Sequence, residues 1–163
     1  MIARWERQAE VRMAGVIRIL VVDDHSVVRD GLVAMLDTQA DFRVVGEAAG
    51  GQEMLEKVAI LHPDVTLLDL EMPGMDGVEA MRRLSADSPS PQVIAFTVFD
   101  TDERILGALQ AGVQGYLLKG APREEIFNAI RVVSQGGSLL QPVVASRLLY
   151  KISRQDAQEN RRI

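Results

Sequence analysis

The sequence predicts an α/β domain built on a doubly wound, five-stranded parallel sheet with helices on both faces. Three observations predict it. Five short runs rich in Val, Ile and Leu alternate with five segments whose apolar residues recur at helical spacing. That alternation calls for parallel strands joined by right-handed crossovers. The central run, Val65-Thr66-Leu67-Leu68, is nearly all apolar, as a strand covered on both faces is. Polar, chemistry-bearing residues follow the runs directly, at the edge where open parallel sheets place their sites.

Strand one is Ile17 to Val22, a continuous aliphatic run ending in Asp23-Asp24-His25. Ser26 is the expected N-cap of a helix with Val28, Leu32, Met35 and Leu36 on one face. Phe42 to Glu47 is strand two. Gln52 to Leu61 is a helix with Met54, Leu55, Val58 and Leu61 on one side, stopped by His62-Pro63. Strand three, Val65 to Asp69, ends on a carboxylate. Pro73, Gly74 and Gly77 then break the chain into a loop before a helix from Val78 to Leu84. Ser88-Pro89-Ser90-Pro91 is a loop leading to strand four, Val93 to Thr97. A helix from Asp102 to Ala111 ends at Gly112. Gly115 to Leu118 is a very short strand five, followed by Lys119. Pro122 opens the domain's last helix, which runs to about Gln135, before Gly136-Gly137.

Three segments follow from this pattern. Residues 1–14 are an N-terminal extension, with Met13 an alternative start. Residues 15–138 are the α/β domain. Residues 139–163 read as a linker: a helix from Pro142 to Ile152, apolar at Val143, Val144, Leu148 and Leu149, then a polar and frayed tail from Ser153 to Ile163.

Composition narrows the function. With 163 residues and 47% hydrophobic content, the chain suits one domain with a full core and is not a disordered protein. No apolar run reaches the roughly 20 residues of a membrane span, and residues 1–15 lack the apolar segment of a secretory signal. There are no cysteines, which excludes thiolate catalysis and Cys-based metal sites and fits a cytoplasmic protein. A net charge of −5 argues against a nucleic-acid surface spread over the domain. Gly46, Gly50 and Gly51 do not form a dinucleotide fingerprint. His25 and His62 lack ligand spacing and read as structural or solvent-facing.

In a parallel sheet Asp23, Asp24, Asp69, Thr97 and Lys119 all reach the same edge. Singly, each has a plain reading: a solvated strand end, an ordinary strand threonine, a solvated lysine. Together they describe one crevice. Carboxylates crowded there resist ionising together unless a cation relieves them. A hard divalent ion with oxygen ligands does so, and Mg2+ suits a site of a few carboxylates and several waters. The site then favours another anion, such as a phosphoryl group, with Lys119 pairing with one oxygen, Thr97 donating to another and Asp69 placed as nucleophile. Phosphoryl transfer has a loose transition state, so positioning and charge neutralisation are most of what it needs.

Asp23-Asp24, the loop Asp69-Leu70-Glu71-Met72-Pro73-Gly74-Met75-Asp76-Gly77, Thr97 and Lys119, in this order and on these elements, resemble the receiver domain of two-component response regulators. The resemblance covers about residues 17–137. Asp-Asp-His after strand one, Gly115-Tyr116-Leu117-Leu118-Lys119 and Gly136-Gly137 further resemble the NarL/FixJ (LuxR-type) subfamily. The resemblance implies the flavodoxin-like strand order 2-1-3-4-5. It implies a phosphorylation-controlled switch that accepts phosphate on Asp69 from a sensor histidine kinase and controls an output such as transcription. Asp24 and Asp69 would ligate Mg2+, with Asp23 helping and the Glu71 backbone carbonyl completing the set. Thr97 and Lys119 would contact the phosphoryl oxygens, and Tyr116 matches an aromatic switch that turns inward when Thr97 moves. A homodimer is expected on phosphorylation, and the surface built from residues 98–119 is expected to change.

Two departures stand out. The position after the switch threonine is usually small in the family but is Val98 here, followed by Phe99. The subfamily's helix-turn-helix domain is lacking, so this chain is not expected to bind DNA itself, although a full-length version would. Two other functions compete. A non-phosphorylated receiver-like interaction module usually loses one of the charged site residues, and none is lost here. A phosphatase working through an aspartyl-phosphate commonly needs a second acid two residues after the nucleophile. Glu71 has that spacing, but Pro73-Gly74 and the lack of a cap insertion count against it. Beyond its own phosphorylation and slow dephosphorylation, no substrate turnover is expected.

Overall fold

The computed structural model describes residues 15–87, 92–98 and 101–161. The expected extension at 1–14 and the loop at 88–91 lie outside the described residues. The elements are β1 (Ile17–Val22), α1 (Ser26–Leu36), β2 (Phe42–Ala48), α2 (Gly51–Leu61), β3 (Val65–Leu68), α3 (Gly77–Asp87), β4 (Val93–Thr97), α4 (Asp102–Ala111), β5 (Gly115–Leu118), α5 (Arg123–Ser134), β6 (Leu139–Leu140) and α6 (Pro142–Arg161). The sheet order is β2-β1-β3-β4-β5-β6, and every neighbouring pair is parallel.

The order 2-1-3-4-5 is as expected, but the sheet has six strands rather than five. The sixth has only two residues, too few for a period to be read in sequence. Tertiary contact creates it. After the turn at Gly136, with φ +89°, the chain returns along β5, and Leu139 N donates to Gln114 O at 3.0 Å while Gln141 N donates to Tyr116 O at 3.0 Å.

Most element boundaries agree with the sequence reading to within a residue or two, the usual fraying of ends. Ser26 is a correction. It is the first residue of α1, whose N-cap is His25, with no side-chain cap bond. Asp23 instead supplies the acceptor, its Oδ1 receiving the His25 amide at 2.9 Å. α3 opens with Asp76, whose Oδ1 accepts from Glu79 N at 2.8 Å. Gly112 ends α4 with φ +108°, a left-handed position that favours glycine.

The sheet is buried on both faces. Met54 of α2, Ala80, Met81 and Leu84 of α3, and Ile105 and Ala108 of α4 pack with Leu20, Leu68, Ala95 and Tyr116 on one face. Leu32 and Leu36 of α1 and Ile126, Phe127 and Ile130 of α5 pack with Ile19, Val21, Leu67 and Phe96 on the other. This is why β1, β3 and β4 read as continuous apolar runs rather than alternating ones. One glycine is fixed by this packing. A Cβ on Gly77 would stand 2.6 Å from Leu70 Cα and 2.7 Å from Asp69 O, so α3 starts against the backbone of the loop that follows β3.

The C-terminal segment departs most from expectation. The helix predicted over 142–152 continues to Arg161, through residues read as a frayed tail. Its extra turns are rich in good helix formers such as Arg154, Gln155, Gln158 and Glu159, and Arg154 lies 5.6 Å from the Tyr150 ring centroid, one turn back. α6 starts against the sheet. Val144 is 1% exposed, within the cluster that holds Tyr116 and Ile105, whereas Val143, Leu149, Tyr150 and Ile152 are exposed.

Burial of Val144 therefore fixes the start of α6 to the domain. Val144→Ala is expected to destabilise the protein by about 1–2 kcal/mol, the cost of two buried methyl groups and the cavity left behind. Val143→Ala, a neighbouring exposed site, should stay within about 0.5 kcal/mol. Urea unfolding of both variants checks this, and equal midpoints would refute the docking of α6.

Candidate functional site

Strand register assembles the site. Val22 of β1 pairs with Leu68 of β3, so the next residues, Asp23 and Asp69, leave the sheet side by side. Their backbones are tied down, with Asp23 N donating to Ala48 O at 3.0 Å and Asp69 N to Val22 O at 2.9 Å. Thr97 pairs with Leu118, and Lys119 N donates to Thr97 O at 2.7 Å. Asp23, Asp24, Asp69, Thr97 and Lys119 are all brought to one edge, as the sequence predicts.

Lys119 is the electrostatic centre. Its Nζ lies 2.6 Å from Asp23 Oδ2 and 3.3 Å from Asp69 Oδ2. Both carboxylates are buried, at 1% and 3% exposure. Burial pushes the Asp69 carboxyl above its ordinary value; the Glu71 amide and the Lys119 ammonium pull it back only partly, and the Asp23 charge pushes it further up. Burial alone would lower Lys119, but Asp23 and Asp69 outweigh it and hold the ammonium above its usual value. The lysine thus stays charged between two carboxylates that repel each other.

The remaining acceptors are partly engaged. Asp69 Oδ1 accepts from Glu71 N at 3.1 Å. Asp24 stands at the rim, half-buried. His25 is solvent-exposed, as expected, but it also borders the site: its Nδ1 is 3.1 Å from Asp24 Oδ1 and 3.3 Å from Asp23 Oδ1. Sequence reasoning missed it because ligand spacing was sought between histidines. The available signal was its adjacency to two carboxylates. His62 is exposed and caps α2 in a left-handed conformation. Arg29 was also missed; it donates to the Asp23 carbonyl from one turn into α1.

Ligand atoms of Asp23, Asp24, His25 and Asp69 all lie within 4.8 Å of one another, close enough to share one cation. The set is dominated by hard carboxylate oxygens, two of them from buried residues, which fits a hard divalent ion such as Mg2+. The Glu71 carboxylate is not in this group. It pairs with Arg104 Nη1 at 2.9 Å, so it faces α4 rather than the crevice, and the second acid of an aspartyl-phosphate phosphatase is not supplied there.

Among the described residues, two buried hydroxyls lack a hydrogen bond, Thr97 Oγ1 and Tyr116 Oη. Both side chains are fully buried, so Tyr116 already lies inward in this structure. An unsatisfied buried hydroxyl costs about 1–3 kcal/mol, which makes both groups ready to accept a new partner. Val98 is exposed. Phe99 lies outside the described residues.

Residues 19–131 match the response regulator receiver domain family. The transcriptional regulatory protein LiaR of Bacillus subtilis is 41% identical over 136 residues, covering 83% of this chain and 64% of LiaR. The response regulator GacA of Pseudomonas viridiflava is 44% identical over 135 residues, covering 83% and 63%. The chain therefore spans less than two thirds of the length of these relatives. Among solved structures, a LuxR-family two-component response regulator from Aurantimonas sp. SI85-9A1 superposes with a TM-score of 0.81 at 29% identity, over 85% of this chain and 99% of that one. The receiver domain of the putative response regulator NarL from Mycobacterium tuberculosis does so with a TM-score of 0.70 at 38% identity, over 74% and 98%. With that match over most of its length, the chain belongs to the response regulator receiver domain family.

Proposed function

We propose that this chain is a phosphorylation-controlled switch that accepts a phosphoryl group on Asp69 from a sensor histidine kinase. The observation that carries the reading is the ammonium of Lys119 held between buried Asp23 and Asp69 at the C-terminal edge of the sheet. A carboxylate oxygen of Asp69 attacks the phosphorus. A P–O bond forms as the P–N bond to the donor histidine breaks, and the leaving nitrogen keeps the electron pair. Lys119 neutralises charge on the transferred group, and Thr97 donates its free hydroxyl to another phosphoryl oxygen. Asp23, Asp24, Asp69 and the Glu71 carbonyl would hold Mg2+, which when bound supplies further charge neutralisation for carboxylates and phosphoryl group alike.

Phosphorylation adds a charge of roughly −1.5 to −2. Movement of Thr97 toward it changes the space available to Tyr116, and the pre-existing equilibrium shifts. A homodimer then forms. A transcriptional output belongs to a longer chain with a DNA-binding domain. Here helices α1 to α5 turn apolar faces to the sheet, and the net charge is −5, so the chain by itself does not read DNA. Among the described residues no helix is long and apolar enough to cross a membrane, which accords with a cytoplasmic partner of a sensor kinase.

Three measurements test this. Acetyl phosphate with Mg2+ is expected to add one phosphoryl mass to the wild type and none to Asp69→Asn. A full mass gain in the variant would overturn the assignment of Asp69. Asp24→Ala should weaken the Mg2+-dependent rise in melting temperature while leaving the metal-free protein equally or more stable, because one crowded carboxylate is gone. Identical Mg2+ shifts in variant and wild type would remove Asp24 from the ligand set. Light scattering with beryllofluoride as phosphoryl mimic is expected to double the mass of the wild type; a monomer at every accessible concentration would exclude the dimer.

A further inference from the structure

We propose that β6 and the first half of α6 form a strap over the switch strand β5, and that phosphorylation of Asp69 loosens it. The inference rests on the reading of Asp69 as phospho-acceptor and adds what the phosphorylated site acts upon.

Gln141 is the buckle. Its backbone N donates to the Tyr116 carbonyl at 3.0 Å, and its side-chain Oε1 accepts from Leu118 N at 2.8 Å. One residue is thus bonded to the strand carrying the switch tyrosine and to the position just before Lys119. Val144, one turn on, is buried in the same apolar cluster as Tyr116 and Ile105. A shift of β5 or of the Tyr116 ring therefore changes both the bonds and the packing that seat α6.

The first turn of α4 supplies a second link. Arg104 pairs with Glu71, two positions past Asp69, at 2.9 Å. Its neighbours Asp102 and Glu103 pair with Arg147 and Lys151 of α6, at 3.4 Å and 3.1 Å. This turn follows closely on Thr97 in the chain and ties the loop after Asp69 to α6. Such ion pairs are partly exposed, weak and screened by salt, so a modest displacement releases them. The unsatisfied hydroxyls of Thr97 and Tyr116 bias the same elements toward rearrangement once a phosphoryl oxygen offers Thr97 an acceptor. Beyond Lys151 every described side chain of α6 is exposed, so the helix can leave without unfolding the sheet.

Hydrogen exchange of the full chain, with and without beryllofluoride and Mg2+, tests the strap. Amides of residues 142–152 are expected to exchange roughly tenfold faster with the mimic bound, within the usual range of allosteric coupling, while those of β1 and β3 stay protected. Coupling is reciprocal, so Gln141→Ala, and separately the double variant Arg147→Ala/Lys151→Ala, should bind beryllofluoride more tightly than wild type. The double variant leaves the sheet untouched and keeps the test valid if Gln141→Ala fails to fold. Bound mimic with unchanged exchange in 142–152, or equal affinity in wild type and the folded variants, would overturn the strap while leaving the phospho-acceptor intact. No binding of the mimic by wild type or variants would instead overturn the reading of Asp69, and the strap with it.

Discussion

The ammonium of Lys119 between two buried carboxylates is the interaction on which the rest of the site depends. Asp23 and Asp69 are placed side by side by the β1–β3 register, whether or not their charges tolerate it. A folded domain that buries two like charges at hydrogen-bonding range of one point is costly unless a cation stands there. Lys119 is that cation in the protein itself, and β4–β5 register delivers it through its backbone bond to Thr97. Its own position is a compromise: desolvation opposes its charge, and the carboxylates restore it. An arrangement with three carboxylates and one nearby ammonium retains a negative excess, a charge balance that suits a hard divalent cation.

Much of this was legible in the sequence because it follows from one rule. Parallel strands present their C-terminal ends at one edge, so the residues at the ends of four apolar runs had to meet. Asp23, Asp24, Asp69, Thr97 and Lys119 did so. Strand four, strand five and the helix between them were read to the residue, because Gly112 and the short β-branched and aromatic runs mark their limits clearly. The misses have physical causes. β6 is two residues stabilised entirely by the edge of β5, with no local pattern of its own. The second half of α6 is polar all round, and such a segment reads as a tail although its residues favour a helix. His25 entered the site through the turn that starts α1, a geometry no spacing rule describes. Arg104 and Gln141 reach their partners across long separations in the chain, and a single sequence carries no sign of such pairs.

The position of Tyr116 qualifies the simplest picture of the switch. Its ring lies inward, fully buried, with its hydroxyl lacking a partner. A tyrosine that swings from solvent to core gains apolar burial; one already inside has gained that and carries the cost of its hydroxyl. On the proposed reading of Tyr116 as a switch, the free-energy difference between an inward and an outward ring would be a small remainder of opposing contributions, each on the order of 1–3 kcal/mol. A small difference is what a switch needs, since a ligand shifts an equilibrium only by its differential affinity for the two states.

The same reasoning bears on the surface expected to change on phosphorylation. Residues 98–119 include α4 and β5, yet part of that surface is covered by β6 and the start of α6. A second copy cannot occupy what Gln141 and Val144 already occupy. Either a partner packs on another face, or the segment moves first. The second course makes dimerisation depend on a segment seated by buried Val144, the partly buried Leu139 and Leu140, the backbone pairing of β6 with β5, the Gln141 side chain and two partly exposed ion pairs. Each is small beside the burial that keeps the sheet together, so α6 can be displaced at a cost far below that of unfolding. The chain thereby separates two demands. The sheet edge is held rigidly enough to place Asp69, Thr97 and Lys119, while the element that would respond to them is attached lightly enough to move.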